Sequence, residues 1–389
     1  MFKALKTSKI SKARIGKITT SRGEIKTPFF MPDATRAAVK YLDSSDLKKL
    51  NIPAAVVNTF HLYLQPGSKL IKKAGGINSF MNFDRPLLSD SGGFQVFSLV
   101  HNNKSMGKIR DDGVEFKSPL DGSKHLFTPA KSIQIQFELG TDMIVVFDDC
   151  PPNDFDEKTI IASVDRTIRW ARECKMVYEK ELKKLKKLET RPLLFGVIQG
   201  GAFKDLRKKC AEALMKIGFD GYGFGARPVD EKGKFLDEIL KYTADLIPKD
   251  KIRFGLGIGT PEDIIRCVRM GWDMFDCVIP TREGRHGRLF FQKSNFQFLI
   301  SNFQAKPKSK IQKNFYEAVN ITNAKFSNDF SSINASSKIE ELRSCSKAYL
   351  HHLFKAKEPL GQRLATLNNL EFYMELMDRV RGDIQRGVF

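Results

Sequence analysis

Three carboxylates in this 389-residue chain stand where chemistry could be done. Asp276 lies inside the apolar run 274–279. The segment after it, Pro280 to Gly287, reads as a turn carrying Arg282, Arg285 and two glycines. Asp90 and Asp148 close two further apolar runs, 86–90 and 143–148. Carboxylates gathered at one place push each other's pKa values apart, which suits one to act as nucleophile and another as acid or base. A basic turn beside such a carboxylate fits phosphate, and so points to chemistry on a nucleic acid. Asn58, Thr59, His61, Ser91, Asp149 and Gln199 occupy similar run ends. An Asp after a strand also serves simply as an N-cap. Asp90, however, precedes Ser91-Gly92-Gly93, where glycine admits close approach of a ligand to the backbone. Gly200-Gly201 after Gln199 and the segment 221–225 repeat this arrangement. Glycine-lined loops among carboxylates and amides favour a flat polar ligand such as a nucleobase. The adjacent pair His351-His352 carries little metal signal, because neighbouring helical residues point about 100° apart.

The elements that must position these residues follow from hydrophobic patterning. Eight short apolar runs, at 28–31, 54–59, 86–90, 143–148, 193–199, 221–225, 253–258 and 274–279, read as strands buried on both faces. Helical patterns lie between them at 44–50, 66–74, 156–188, 203–217, 231–247 and 261–270. Strands alternating with helices predict an α/β protein, a (β/α)₈ TIM barrel, with the active site at the C-terminal strand ends. A doubly wound sheet is the alternative, and no G-x-G-x-x-G follows the first run to favour it. Residues near 101–128 read as a hairpin insertion turning at Asp121-Gly122. The barrel is expected over 1–290 and a C-terminal helical subdomain over 291–389. In that second part, polar residues 295–334 precede helical patterns at 337–357 and 361–384.

A net charge of +20 spread along the chain predicts a folded body that attracts polyanions, nucleic acid first among them. No apolar run approaches membrane-span length, and the first residues show no signal-peptide pattern. Six scattered cysteines without a CxxC read as reduced thiols of a cytoplasmic protein.

Six ordered segments then resemble the tRNA-guanine transglycosylases, also called queuine tRNA-ribosyltransferases, of bacterial type. They are Asn58 to Leu62, Leu88 to Leu99, Phe147 to Cys150, Phe195 to Gly201, Gly218 to Tyr222 and Phe275 to Arg282. The resemblance implies exchange of the wobble guanine in tRNAs with a GUN anticodon for a 7-deazaguanine base, within queuosine biosynthesis. It implies Asp276 as the nucleophile at ribose C1′, giving a covalent intermediate, and Asp90 as general acid/base. Asp148, Gln199, Ser91 and the backbone at Gly225-Ala226 would bind the base, with Phe94 and Leu256 sandwiching its ring. Arg282 and Arg285 would hold phosphates of the anticodon stem-loop. A homodimer is implied as well. Glu231 and Val229 resemble bacterial members and favour 7-aminomethyl-7-deazaguanine (preQ1) as incoming base. Queuine salvage and a non-catalytic tRNA-binding partner subunit remain the alternatives.

Two departures stand out. Where the family has Gly-Gly-Leu-Ala-Val-Gly-Glu, this chain has Ala226-Arg227-Pro228 after Gly225. The family's zinc ligands, three cysteines and a histidine, fall on Ser337, Ile339, Leu342 and Asn368, poor substitutes for thiolate or imidazole. No zinc or other cofactor is therefore expected. Ile339, Leu342, Leu350 and Leu353 are expected to pack in place of the metal and to extend the helix upstream of Tyr349.

Overall fold

A computed structural model describes residues 2–152, 155–185, 190–230, 232–293 and 315–389. Eight short parallel strands form its centre: β1 (Phe29–Pro32), β2 (Ala55–Val57), β3 (Leu87–Ser89), β4 (Met143–Val145), β5 (Leu193–Ile198), β6 (Gly221–Phe224), β7 (Ile252–Gly255) and β8 (Met274–Cys277). Their spatial order is β1-β8-β7-β6-β5-β4-β3-β2. The ring closes between β1 and β2, where Asp33 bridges to Val56 and the Ala34 N–H donates to the Val56 carbonyl. This is the (β/α)₈ barrel expected from the eight apolar runs. Every run supplied one strand, and all but the first are shorter than their runs, whose last residues turn out into loops.

Side chains alternate along a strand with period two, and the barrel uses both sets. Phe29, Met31, Val56, Leu88, Val145, Phe195, Val197, Phe254 and Met274 form one buried cluster inside the ring. Phe30, Ala55, Val57, Ile144, Leu194 and Phe275 belong to a second cluster, under the helices. An N-terminal antiparallel sheet (Phe2–Thr7, Arg14–Thr20, Gly23–Thr27) closes the bottom of the barrel. Its Ile18 and Ile25 join the interior cluster. Three aspartates at that end, Asp142, Asp220 and Asp273, accept from the backbone N–H groups of Leu87, Leu194 and Arg253. They hold strand to strand, whereas the aspartates at the opposite end face a cavity.

Some helices differ from the sequence reading. Helices Thr59–Leu64, Ile77–Met81, Gly93–Asn102 and Pro129–Leu139 were not expected. Gly93–Asn102 begins at Gly92, held at φ +76°, and is apolar around most of its circumference, so no 3.6-residue stripe announces it. The helix expected over 231–247 spans Asp237–Leu246. Before it, Val229 bridges to Phe235 and the Leu236 N–H donates to the Pro228 carbonyl, so the chain doubles back. The insertion holds three antiparallel strands (Gly107–Ile109, Val114–Lys117, Lys124–Phe127), one more than a hairpin. The segment after Asp276 is a helix, Ile279–Arg285, where a turn was expected.

Beyond the barrel, Arg288–Gln292 pairs with Tyr316–Asn320, and a 28-residue helix, Pro359–Arg386, lies along the barrel wall. Asn369 on that helix donates to the Pro280 and Arg288 carbonyls, and Tyr373 to the Gly259 carbonyl. A Cβ at Gly284 would stand 3.0 Å from the Thr366 backbone, so glycine sets the contact between this helix and Ile279–Arg285. Ile339, Leu342, Leu350 and Leu353 are all buried, as expected. They do not extend one helix. Glu340–Ser344 ends at Cys345, and Ser346 caps a new helix, Lys347–Lys355, by accepting from the Tyr349 N–H. Ser337 donates to Glu371, whose other oxygen accepts from the Lys338 N–H at 2.7 Å. Asn368 donates to the Phe290 carbonyl and accepts from Asn334. Two of the four positions have no donor atom and the other two are engaged in hydrogen bonds, so this set does not fit a zinc ion. Among the described residues, no His, Cys, Asp and Glu side chains group as a metal site.

Candidate active site

A cavity of about 670 Å³ opens at the C-terminal ends of the strands. It is lined by Asp90, Ser91, Phe94, Asp148, Gln199, Gly225, Ala226, Leu256, Asp276 and Arg282, all of them anticipated from sequence. Arg285 is half-buried one helical turn beyond Arg282 and donates to Thr281 at 3.3 Å. Glu231 lies outside the described residues.

Asp90 leaves the end of β3 and is held from two sides. One carboxylate oxygen accepts from the Thr59 and Gly92 N–H groups at 2.9 and 3.1 Å; the other accepts from the Asn58 side chain. Asn58 in turn accepts from the His61 N–H, so β2 and β3 fix this carboxylate together. Burial pushes Asp90 up to about 7 against those backbone bonds, and the charges of Asp33 and Asp276 add to the rise. Asp276, on β8, accepts from the Gly257 N–H at 3.0 Å. It too is raised to about 7, first by burial and further by Asp33. Two carboxylates three strands apart around the mouth, both poised near neutrality, are what a nucleophile and an acid/base require.

Across the cavity Gln199 donates to Asp148 at 2.7 Å, and Ser91 lies 3.5 Å from the other Asp148 oxygen. Burial raises Asp148 to about 6, while the Gln199 bond opposes it. These groups converge because glycine permits it. A Cβ at Gly225 would fall 2.5 Å from Gln199 Cδ, and one at Gly93 would fall 3.0 Å from the Asp148 carbonyl oxygen. Ala226 adopts φ +111°, a left-handed backbone that costs a non-glycine residue about 1–3 kcal/mol. Phe94 and Leu256 line the same space, with Phe94 48% exposed.

Not every strand-end residue belongs here. Asp149 turns into the wall, pairing with Arg166 and accepting from Ser163 through its carbonyl; it anchors the helix Glu157–Lys184. Two residues escaped the sequence reading. Arg207 is fully buried and donates to the Gly201, Ile198 and Gly225 carbonyls at 2.7, 3.1 and 3.0 Å. It thereby braces the loops that carry Gln199 and Gly225. Nothing in the sequence separates it from other helical arginines. Asp33 also lines the cavity, at the end of β1. It follows an apolar run just as Asp90 does, so the same rule would have found it.

Buried carboxylates, a glutamine and an aromatic side chain gather at the C-terminal mouth, where a barrel enzyme carries its active site. Comparison with known proteins is specific. The model of the family described as queuine tRNA-ribosyltransferase matches residues 9–389, and the chain belongs to that family. It is 42% identical over 375 residues to the queuine tRNA-ribosyltransferase of Halothermothrix orenii, covering 96% of this chain and 91% of the relative. It is 43% identical over 385 residues to that of Caldanaerobacter subterraneus subsp. tengcongensis, covering 99% and 93%. To that of Solidesulfovibrio magneticus it is 41% identical over 377 residues, covering 97% and 92%. No described helix is long and apolar enough to cross a membrane.

Proposed function

We propose that this protein exchanges guanine at the wobble position of tRNAs with a GUN anticodon for 7-aminomethyl-7-deazaguanine. The observation that carries this reading is the placement of Asp276 and Asp90 on β8 and β3, with Asp148 and Gln199 between them across the mouth. Asp276 attacks ribose C1′ and the glycosidic bond breaks, leaving an aspartyl-ribosyl ester. Asp90 gives its proton to the departing base and later takes one from the incoming base. The fixed Asp90 oxygens suit this shuttling, since donors hold the carboxylate in one orientation. Asp148 accepts from N1–H and the 2-amino group, and Gln199 donates to the 6-oxo group. The Gln199–Asp148 bond exchanges for these contacts when the base binds. A base taken out of its stack needs both an edge reader and stacking faces, and Phe94 and Leu256 supply the faces. Arg282 and Arg285 hold flanking phosphates, and the net charge of +20 draws tRNA toward the mouth.

The C-terminal subdomain, in this reading, holds its shape without zinc, through Leu342 and its neighbours and the Ser337–Glu371 bond. The protein acts as a homodimer in the cytoplasm, one subunit reacting while its partner positions the tRNA. The test is exchange of labelled guanine into tRNA by wild type and Asp276→Asn, with preQ1 and queuine as competitors. Wild type exchanges and is competed by preQ1, and the Asn variant does not turn over. Full exchange by Asp276→Asn removes the nucleophile assignment. Competition by queuine but not preQ1 makes this a queuine-salvaging enzyme.

A further inference from the structure

Asp33 is a further carboxylate in the same mouth as Asp90, Asp148 and Asp276, and the exchange chemistry above gives it no role. Its position is set by the backbone. β1 runs beside β8 with Met31 paired to Asp276 and Pro32 to Cys277. One residue on, Asp33 makes the bridge to Val56 that closes the barrel against β2. β2 leads directly to Asn58, which holds Asp90. Asp33 therefore stands between the strand of Asp276 and the strand that fixes Asp90. Burial is the larger cause of the raised pKa in both of those groups, and both also feel the charge of Asp33.

This is not the side that reads a base edge. Asp148 and Gln199 lie at the ends of β4 and β5, across the cavity. The charged and titratable groups that feel Asp33 are Arg285, His61 and the two reacting carboxylates. Arg285 feels the Asp33 charge: burial pulls that guanidinium down, and Tyr41 and Asp33 oppose the effect. Half-buried His61, lowered by burial and by nearby Arg36, is also opposed by Asp33. Arg285 thus feels the Asp33 charge, and Arg36 acts on the His61 that feels it too. At an internal nucleotide two phosphates flank a ribose whose 3′ oxygen is esterified, leaving the 2′-hydroxyl as its hydrogen-bond donor. The neighbouring Asn58 is engaged on both sides, and Asp90 and Asp276 carry the exchange chemistry. Asn58 donates to Asp90 and accepts from the His61 N–H, and Asp90 and Asp276 accept from backbone N–H groups. Asp33 accepts from Thr35 through Oδ1, and its carboxylate has further lone pairs facing the cavity.

We propose that Asp33 recognises the ribose of the nucleotide undergoing exchange, accepting a hydrogen bond from its 2′-hydroxyl and so selecting RNA over DNA at that position. The inference rests on the transglycosylase reading above. A carboxylate accepting from a neutral hydroxyl makes a charge-assisted bond, and a site built to hold a hydroxyl rejects the analogue without one. The 2′-hydroxyl is also the group by which a protein tells the two nucleic acids apart.

The experiment compares labelled-guanine exchange into two anticodon stem-loops, all-ribose and with a single 2′-deoxyguanosine at the wobble position. Wild type favours the all-ribose substrate by roughly 10- to 100-fold in kcat/KM. Asp33→Ala loses that preference by falling on the ribose substrate while changing little on the deoxy one. Asp33→Asn, which retains an acceptor oxygen, keeps part of it. Binding of free guanine, which needs the opposite side of the cavity, verifies that the variants are folded. If Asp33→Ala keeps the wild-type ratio, or wild type uses both substrates equally, Asp33 does not read the hydroxyl. A shift in the pH profile at unchanged ratio likewise overturns the proposal and leaves Asp33 a charge acting on Asp90 and Asp276. Absence of exchange into either substrate by wild type is a separate failure, of the transglycosylase reading, and this proposal falls with it.

Discussion

Asp90 and Asp276 are both raised to about 7 and Asp148 to about 6, burial being the first cause in each. Exchange needs one of the first two charged and the other protonated, while Asp148 must accept. The pair titrates as a unit, so kcat/KM for guanine exchange is expected to be bell-shaped. It falls on the acid side below about pH 6, as Asp148 and the nucleophile gain protons, and on the alkaline side above pH 7, as the proton on the pair is lost. A stopped-time exchange assay across pH 4.5–9 checks this; a flat profile rules it out. The same shift predicts a stability effect of definite sign. A carboxyl raised in the folded state binds its proton more tightly there than in the unfolded chain, so stability from this source is present at low pH. It is lost as pH rises through about 7. Asp90→Asn cannot ionise and escapes the loss. Its melting temperature should exceed that of wild type at pH 8 by a few degrees, about 1–2 kcal/mol after screening, and the difference should close toward pH 4. Thermal melts at the two pH values decide it. These carboxylates were legible from sequence because each ends or interrupts an apolar run. Asp149 was misplaced by the same rule, since the rule cannot say whether a strand-end side chain turns inward to the mouth or outward to Arg166.

Single elements carry two further expectations. Arg207 sits on the helix Lys204–Ile217 yet serves the loops after β5 and β6. Among the described residues it has no carboxylate partner, and burial pulls its guanidinium down to about 9. Arg207→Met would leave the Gly201 and Gly225 carbonyls without the Arg207 donor, each costing about 1–3 kcal/mol before relaxation, while the Ile198 carbonyl keeps the Gly225 N–H. The variant should unfold more easily and raise KM for guanine well above its effect on KM for tRNA, because Gln199 and Gly225 lose their brace. Equal changes in the two KM values would argue against a positioning role. In the C-terminal subdomain, Leu342 is fully buried where the family places a metal ligand. Leu342→Ala should cost about 2–5 kcal/mol, whereas a chelator should leave the melting temperature of wild type unchanged. Metal analysis finding about one zinc per chain would overturn the zinc-free reading. Here the sequence went only half way. It showed apolar residues at helical spacing, but the break at Cys345 and the Ser346 cap depend on hydrogen bonds that periodicity does not register.

At the scale of the whole molecule, charge is expected to govern encounter. With a net charge of +20, association with tRNA should weaken steeply as salt rises. Arg282→Ala should reduce the slope of log K against log salt by about one while leaving guanine binding unchanged. A slope identical to that of wild type would remove Arg282 from the phosphate contacts. The barrel itself was written in the sequence. Strands buried on both faces must be apolar throughout, and eight such runs between helical patterns leave few ways to bury them. The types of the reacting residues were legible for the same reason, since a polar residue ending a buried strand is conspicuous. Folding decided what no spacing encodes. It set which side of the mouth each carboxylate occupies, through strand order and register. It braced two loops with an arginine at the start of the helix Lys204–Ile217, and it laid the Pro359–Arg386 helix against the segment that carries Arg282. It also placed Asp33 between Asp90 and Asp276, residues 57 and 243 positions away in the chain, because the first and second strands close the ring there. Sequence fixes side-chain chemistry and local period; proximity between distant residues arises only when the barrel closes.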